Sequence, residues 1–432
     1  MRPPLYPTSF QASFKIRRPQ RGVATLVLVG VLLMATTLVA VFTHASLATE
    51  LRMTASQLRS TQAHEAAEAG LEWAIARLND DRRIGDDCQP STAPGTVSFR
   101  ERHLQVDLAT GATTPVTWDD AGTARPLLAA CIRTDAGWAC RCPAHGLPVL
   151  PAPTSTRTAS AFRVALAAGS RPGVIRVVAT GCTRSSSLCE ATSESAHEAA
   201  ARVEVDLARV PGLRSAPAAA LTVRGGVDPG TAGLGLHNVD PGTGLALHAG
   251  GSLAGGALRL TGPAGSPVAD SVVTGDADLA ALSDERFFDR TFGMDRAAWA
   301  AQPAAVRLAC AGSCTADIGR AVDAGASLIA VDGDLDLAGP VALGSPDRPV
   351  IVVASGAARL RGDVTLHGLL FARDVDWRSH GAPAGLVRGA VVASGNHAGD
   401  SAADIARDVA VLDRLKRTTG TFARIPGSWK DF

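Results

Sequence analysis

Residues 21–42 read RGVATLVLVGVLLMATTLVAVF, and the rest of the chain is interpreted outward from this stretch. Lys15, Arg17, Arg18 and Arg21 precede it, and Gly22 is a small residue at the junction. Val23 to Phe42 then gives twenty residues without a charge. At about 1.5 Å per helical residue that run covers roughly 30 Å, the thickness of one bilayer core. The basic flank predicts that residues before Val23 stay cytoplasmic while the rest crosses. A signal anchor would share these features, as would a secretory signal peptide cut after Ala48. The run is longer than the usual 7–15-residue signal core, however, and the helical pattern continues through that second site.

The continuation carries more information than the span itself. Leu47, Leu51, Ala55, Leu58, Gln62, Ala66, Ala69, Trp73 and Ala76 follow one another at steps of three or four, which is one helix face. From Ala67 a second stripe joins: Ala67, Leu71, Ala74 and Leu78. The apolar arc widens towards Leu78, as expected of a spine that enters a globular head. Asn79-Asp80-Asp81 ends the pattern. A single helix from Val23 to Leu78 would be about 84 Å long.

The Arg-Gly-Val junction, the apolar run and the block AHEAAEAGLEWA, with His64 between Ala63 and Glu65, resemble the N-terminal region of PilX-type minor pilins of type IV pili. The resemblance spans about Gln20 to Leu78. It implies cleavage by prepilin peptidase between Gly22 and Val23 and N-methylation of the new terminus. It also implies packing with other minor pilins and the major pilin, and no enzymatic activity. The expected location is the inner membrane with a periplasmic head, then the pilus, at or near its tip. Major pilins carry a glutamate at the fifth place after the cut, where this chain has Val27. A pseudopilin of type II secretion would share the cut site. A membrane-anchored periplasmic enzyme acting on polysaccharide is the other competing class.

With 432 residues, 46% apolar content and a net charge of +1, the chain is expected to be globular and multidomain. Near-neutrality, with no basic patch interleaved with aromatics, gives no indication of nucleic-acid binding. Residues 1–22 read as a leader and 23–79 as the long helix, with 23–42 in the membrane. Residues 80–214 read as an antiparallel, pilin-like β head: TVSFRERHLQVDL, LLAACIRT, SAFRVALAA, GVIRVVATGC and AARVEVDLARV are strand-like. Residues 215–432 read as a glycine-rich, β-solenoid-like domain with a helical insertion near 276–308. A β-sandwich is the alternative for this part. Val227-Asp228-Pro229-Gly230 and Val239-Asp240-Pro241-Gly242 are matched turn signals. Val352-Val353-Ala354-Ser355-Gly356 recurs at Val391 to Gly395, with Leu369 to Asp374 midway and Ile329 to Gly333 before them. Such spacing suggests stacked coils sharing one core. Ala403–Leu415 reads as a capping helix, and Trp429 and Phe432 as aromatics able to pack back on the fold. The expected class is therefore α+β.

Cys88, Cys131, Cys140, Cys142, Cys182, Cys189, Cys310 and Cys314 all follow the span, so disulfides are expected rather than zinc. Cys182 with Cys189 and Cys310 with Cys314 would close short loops, leaving the other four to pair among themselves. Asp332, Asp334 and Asp336 alternate in VDGDLDL, which on one strand would put all three on one face. Asp374 and Asp376 alternate likewise. They are weak candidates for calcium or for acid–base work, and a wetted strand face explains them more simply. HExxH, GxSxG, Walker A and strand-initial GxGxxG are absent from the sequence, so neither a catalytic residue nor a cofactor is expected.

Overall fold

The computed structural model describes residues 21–152, 159–171, 173–183, 188–189, 199–379 and 384–432, with the side chains of Arg21 and Gly22 excepted. The fold is mixed α+β: a long apolar N-terminal helix followed by a β-rich remainder. The chain divides into two units, residues 1–59 and 60–432. Helix α1 runs Arg21–Leu78. Its 58 residues contain no proline, and alanine and leucine dominate it.

Within the second unit, the end of α1 buries Ala67, Leu71, Ala74 and Leu78 against an antiparallel sheet. That sheet contains Leu128–Thr134, Gly137–Arg141, Ala161–Ala168, Val174–Cys182 and Ala200–Pro211. Phe162, Val164, Ile175, Val177, Val203 and Val205 supply its side of the core. The small residues of the AHEAAEAG block account for the closeness of this packing. A Cβ on Gly181 would lie 2.1 Å from the Ala63 carbonyl oxygen and 2.3 Å from the Ala67 nitrogen. One on Gly70 would lie 2.8 Å from the Phe162 ring.

The segment TVSFRERHLQVDL is not a continuous strand. Phe99–His103 forms helix α2, which starts at a capping box: the Ser98 hydroxyl accepts from the Glu101 backbone N–H, and the Glu101 carboxylate accepts from the Ser98 backbone N–H. The boundary at 214/215 also needs correction. The strand Gly420–Arg424 pairs with Ala200–Pro211, setting Pro211 opposite Gly420 and Leu207 opposite Arg424, so residues 212–419 are an insertion in the antiparallel sheet. Lys430–Asp431 pairs with the same strand. Backbone pairing, not aromatic burial, holds this end of the chain: Trp429 and Phe432 are exposed.

The inserted region is built from parallel ladders. The first runs, in spatial order, through Ala305–Ala309, Leu328–Asp332, Val350–Ala354, the ends of Val364–Ala372 and Leu386–Ala393, then Ala219–Val223, Leu245–Ala249 and Val272–Val273. The two VVASG copies are two strands apart in it, because Val352 pairs with Leu370 and Leu370 with Val391. A second ladder joins Leu335–Ala338, Ala358–Arg361, Val375–Ser379, His397–Ser401 and Val227–Asp228. A third joins Val341–Leu343, Val364–Leu366, Leu386–Gly389, Asp404–Arg407, Leu234–His237 and Leu258–Thr261. Spatial order departs from chain order, since the strands of 219–273 pair beyond those of 386–407.

Both faces of the first ladder are covered. Val331, Val352, Leu370, Val391 and Leu221 face an inner core. Ala330, Val353, Phe371 and Val392 face outward beneath helices. This double burial explains why these strands are continuous apolar runs rather than alternating ones. The covering helices follow α3, Ala277–Ala280: they are α4, Asp284–Phe292, and α5, Arg296–Ala300. Ser283 caps α4 by accepting from the Arg286 N–H, and Gly293 ends it in the left-handed region. The helical insertion is therefore shorter than 276–308, because Ala305–Ala309 is a strand. Helix α6, Thr315–Ala324, contributes Ile318 to the inner core beside Cys314. Residues 403–415 are likewise not one helix: Asp404–Arg407 is a strand, and only Val409–Thr418 forms helix α7. Leu412 and Leu415 of α7 pack on the outer face of the first ladder, so α7 covers a side of the stack and does not cap its end.

All eight cysteines are paired, as Cys88–Cys142, Cys131–Cys140, Cys182–Cys189 and Cys310–Cys314. In the chain-entropy model, the separation of 54 between Cys88 and Cys142 corresponds to about 4 kcal/mol, and the separation of 4 at Cys310 to about 2 kcal/mol. Replacing Cys88 and Cys142 together by serine is therefore expected to lower the urea midpoint more than replacing Cys310 and Cys314. Mass spectrometry of the unreduced protein after alkylation should find every thiol protected; more than two alkylated cysteines would refute the pairing.

Candidate functional site

The first candidate is the apolar part of α1. Val23, Val27, Val31, Leu32, Leu38 and Phe42 are all exposed, and none has a core to enter. The polar side chains in this part are self-satisfied. The hydroxyls of Thr36, Thr37 and Thr43 donate to the carbonyls of Leu32, Leu33 and Val39 at 2.8–2.9 Å. A helix that meets its own hydrogen-bonding needs and is uncharged for twenty residues is compatible with lipid or with an apolar bundle of other helices. It is long and apolar enough to cross a membrane. Gly22 and Val23 lie in α1, so the predicted cleavage junction has helical backbone. Lys15, Arg17, Arg18 and the rest of the predicted leader before Arg21 lie outside the described residues.

The aspartates singled out from the sequence do not form the surface expected of one strand. Asp332 ends the strand Leu328–Asp332, Gly333 turns in the left-handed region at φ 95°, and Asp336 lies in the strand Leu335–Ala338 of another ladder. The Asp-Gly pair is a turn signal that outweighs the alternation. Each carboxylate meets an arginine: Asp332 with Arg307 at 3.0 Å, Asp334 with Arg359 at 2.9 Å, Asp336 with Arg361 at 2.5 Å. Asp374 similarly sits at a corner while Asp376 is in a strand, and they meet Arg373 and Arg378 at 3.0 Å.

The corner residues also have a role in the backbone. Asp334 Oδ1 accepts from the Ala357 N–H at 2.9 Å, Asp374 Oδ1 from the Asn396 N–H at 2.9 Å, and Asn396 Oδ1 from the Gly226 N–H at 3.0 Å. These bonds link the corners that precede neighbouring strands of the second ladder. The Ala357 N–H beside Asp334 holds its carboxyl below the usual range. Among the described residues no three His, Cys, Asp or Glu side chains gather as metal ligands do.

Two clefts lie in the second unit. The first, about 520 Å³, is bounded by Asp81, Arg100, Glu101, Ser327, Arg348 and Arg414. Its arginines are already committed. Arg100 donates to the carbonyls of Leu78 and Gly420, both at 2.8 Å, and lies 3.7 Å from Asp81. Arg348 meets Glu101 at 3.3 Å and Arg414 meets Asp347 at 3.4 Å. Burial pushes the Asp81 carboxyl up, against the pull of Arg100 and the hydroxyl of Ser327. Asn79 works alongside them: its side chain donates to the Phe422 carbonyl at 3.0 Å and accepts from the Phe422 N–H at 2.7 Å, so it pairs with the returning strand as a backbone would. This cleft is a seam whose groups hold α1, α2, α7 and the strand Gly420–Arg424 together. The second cleft, about 260 Å³, contains His248, Thr222 and Arg290. No local sequence signal marks it, because Thr222, His248 and Arg290 come from separate elements.

No family model and no curated protein matches the chain. Among solved structures, the competence-associated pilin ComZ from Thermus thermophilus is similar at 13% identity and a TM-score of 0.21, over 87% of this chain and 97% of that one. Likeness at that level carries no argument here. What this chain itself provides is a proline-free, apolar N-terminal helix that enters a β-rich head, an arrangement that fits a pilin.

Proposed function

We propose that the chain is a PilX-like minor pilin that helps to start and organise a type IV pilus, and that it is not an enzyme. The observation that carries this reading is the continuity of α1 from an uncharged, exposed segment into the buried stripe of Ala67, Leu71, Ala74 and Leu78. Prepilin peptidase would remove residues 1–22 at the inner membrane and Val23 would become the methylated terminus. Residues 23–42 would then leave the bilayer for the apolar bundle formed with the major pilin and other minor pilins.

The parallel region is read as β-solenoid-like, which the coil-to-coil registers and the corner bonds of Asp334, Asp374 and Asn396 support. A position at or near the tip is supported by two features. Val27 offers no carboxylate to an incoming positive terminus, and an unpaired buried charge is costly. The insertion of residues 212–419 also makes a large head to repeat at every step of a shaft.

Replacing Gly22 by tryptophan is expected to leave residues 1–22 attached and to abolish incorporation into pili. N-terminal sequencing of the wild-type protein from membranes and sheared pili should start at Val23. A terminus at Thr49 would overturn the reading. Immunogold labelling should mark one end of the fibre; regular labelling of the shaft would remove the tip assignment alone.

A further inference from the structure

We propose that the cleft over Thr222 and His248 binds a small hydroxylated carboxylate of monosaccharide size, such as a hexuronate. The site goes beyond the assembly role and does not depend on it. Thr222 and His248 are paired neighbours on the outer face of the first ladder, and Thr222 also pairs with Val392. Along that outward column Ala330, Val353, Phe371 and Val392 are buried. At Thr222 and His248 it turns polar and opens into a cleft of about 260 Å³, within reach of a single sugar ring.

The imidazole is held in place. Asp276 Oδ2 accepts from His248 Nε2 at 2.7 Å, while Oδ1 caps α3 by accepting from the N–H groups of Asp278 and Leu279 at 3.0 and 3.1 Å. The hydrogen bond from His248 is the first reason the Asp276 carboxyl stays below its usual range. With Nε2 committed, Nδ1 is the nitrogen left for a ligand, and no described residue bonds to it.

Charge selects the class of ligand. No carboxylate lines the cleft. Asp276, behind the imidazole, is already bound to His248 and to the start of α3. Arg290, at the rim, is exposed and forms no ion pair with a described residue. This contrasts with the 520 Å³ cleft, where Arg100, Arg348 and Arg414 are all engaged. A free guanidinium pairs well with a carboxylate, and the hydroxyls of Thr222, Thr291 and Ser215 with His248 Nδ1 match the hydroxyls of a sugar. Phe287, Leu279 and Val392 supply an apolar wall.

The test is titration of the full chain in detergent micelles with D-glucuronate, followed by saturation-transfer NMR, with D-glucose and acetate as separate arms. Glucuronate is expected to bind saturably and roughly tenfold more tightly than either control. Arg290→Gln should weaken it by a similar factor and Thr222→Val by a smaller one, with melting temperatures unchanged. Absence of saturable glucuronate binding overturns the proposal. So does binding that survives Arg290→Gln, or acetate binding of equal strength, which would mean a generic anion contact.

Discussion

Replacing Gly181 by valine is expected to cost more than 4 kcal/mol and to leave the second unit unfolded or molten. The reason is geometric. Gly181 lies in the strand Val174–Cys182, opposite Phe162 on one side and Ala201 on the other. Its Cα faces the helix, and the three atoms nearest an added Cβ are the Ala63 carbonyl oxygen, the Ala67 nitrogen and the Ala66 carbonyl carbon, at 2.1, 2.3 and 2.9 Å. All three belong to helix backbone, so no side chain can rotate away. The helix must move off the sheet, and Ala67, Leu71 and Ala74 lose their packing with it. Overpacking usually costs about 1–3 kcal/mol because neighbours yield; here they cannot, which places the change in the severe tail of single substitutions. Gly181→Ala should already cost about 3 kcal/mol. Gly70→Ala should cost less, because its Cβ would meet only the Phe162 side chain. Gly255→Ala meets nothing within 4 Å and should be neutral within about 0.5 kcal/mol. Urea unfolding of the full chain in detergent gives the ranking. Equal losses at Gly181 and Gly255 would show that the helix does not lie against that strand.

That close approach was partly legible. The small residues of AHEAAEAG and the stripe from Ala67 to Leu78 identify the face of α1 that is buried. Gly181, in GVIRVVATGC, gives no local sign that it meets that face, because the contact joins residues more than a hundred positions apart. The same limit hid the insertion. Ala200–Pro211 and Gly420–Arg424 are each ordinary strand sequence, and nothing near either announces the pairing of Pro211 with Gly420. Residues 352–356 and 391–395 disclosed a repeat because both lie in one parallel ladder, two strands apart. They could not disclose that the strands of 219–273 pair beyond those of 386–407, since those pairings join residues more than a hundred positions apart. Two misreadings had local remedies. Ser98 followed by Glu101 is a capping box, which marks a helix over Phe99–His103 before the strand Leu104–Val106. Asp332-Gly333 is a turn, and it breaks the alternation of VDGDLDL. Of the candidate sites, the apolar run is written in consecutive residues. The pairing of His248 with Asp276 is not, because it depends on a strand and a helix N-terminus brought together by the fold.

Acidification from pH 7 to pH 4 is expected to remove on the order of 6 kcal/mol of stability through two buried histidines, a loss comparable with the whole stability of many domains. His103, at the end of α2, packs on Phe99 with ring centroids 4.2 Å apart, and its Nε2 is buried without a partner among the described residues. Burial first, then the Arg102 charge, pushes its pKa down to about 3, against a hydrogen bond to the Leu127 backbone. His397 sits in the second ladder between Val375 and Val227, with both ring nitrogens buried and unpartnered among the described residues. Burial lowers its pKa to about 4 although Asp376 and Asp228 pull the other way. Both folded values lie below the unfolded value of 6.5. The unfolded chain therefore binds more protons in this window, and stability falls as pH drops. The contribution is complete above pH 6.5 and is lost at about 1.4 kcal/mol per pH unit for each histidine, His397 levelling off near pH 4 and His103 near pH 3. Asp81 acts in the opposite sense, because its raised pKa lets the folded form take up a proton first. His397→Leu keeps a similar volume in a column of apolar neighbours and removes one of the two titrations. It should raise the urea midpoint much more at pH 5 than at pH 8. An equal shift at both values would show that His397 is not held neutral in the fold.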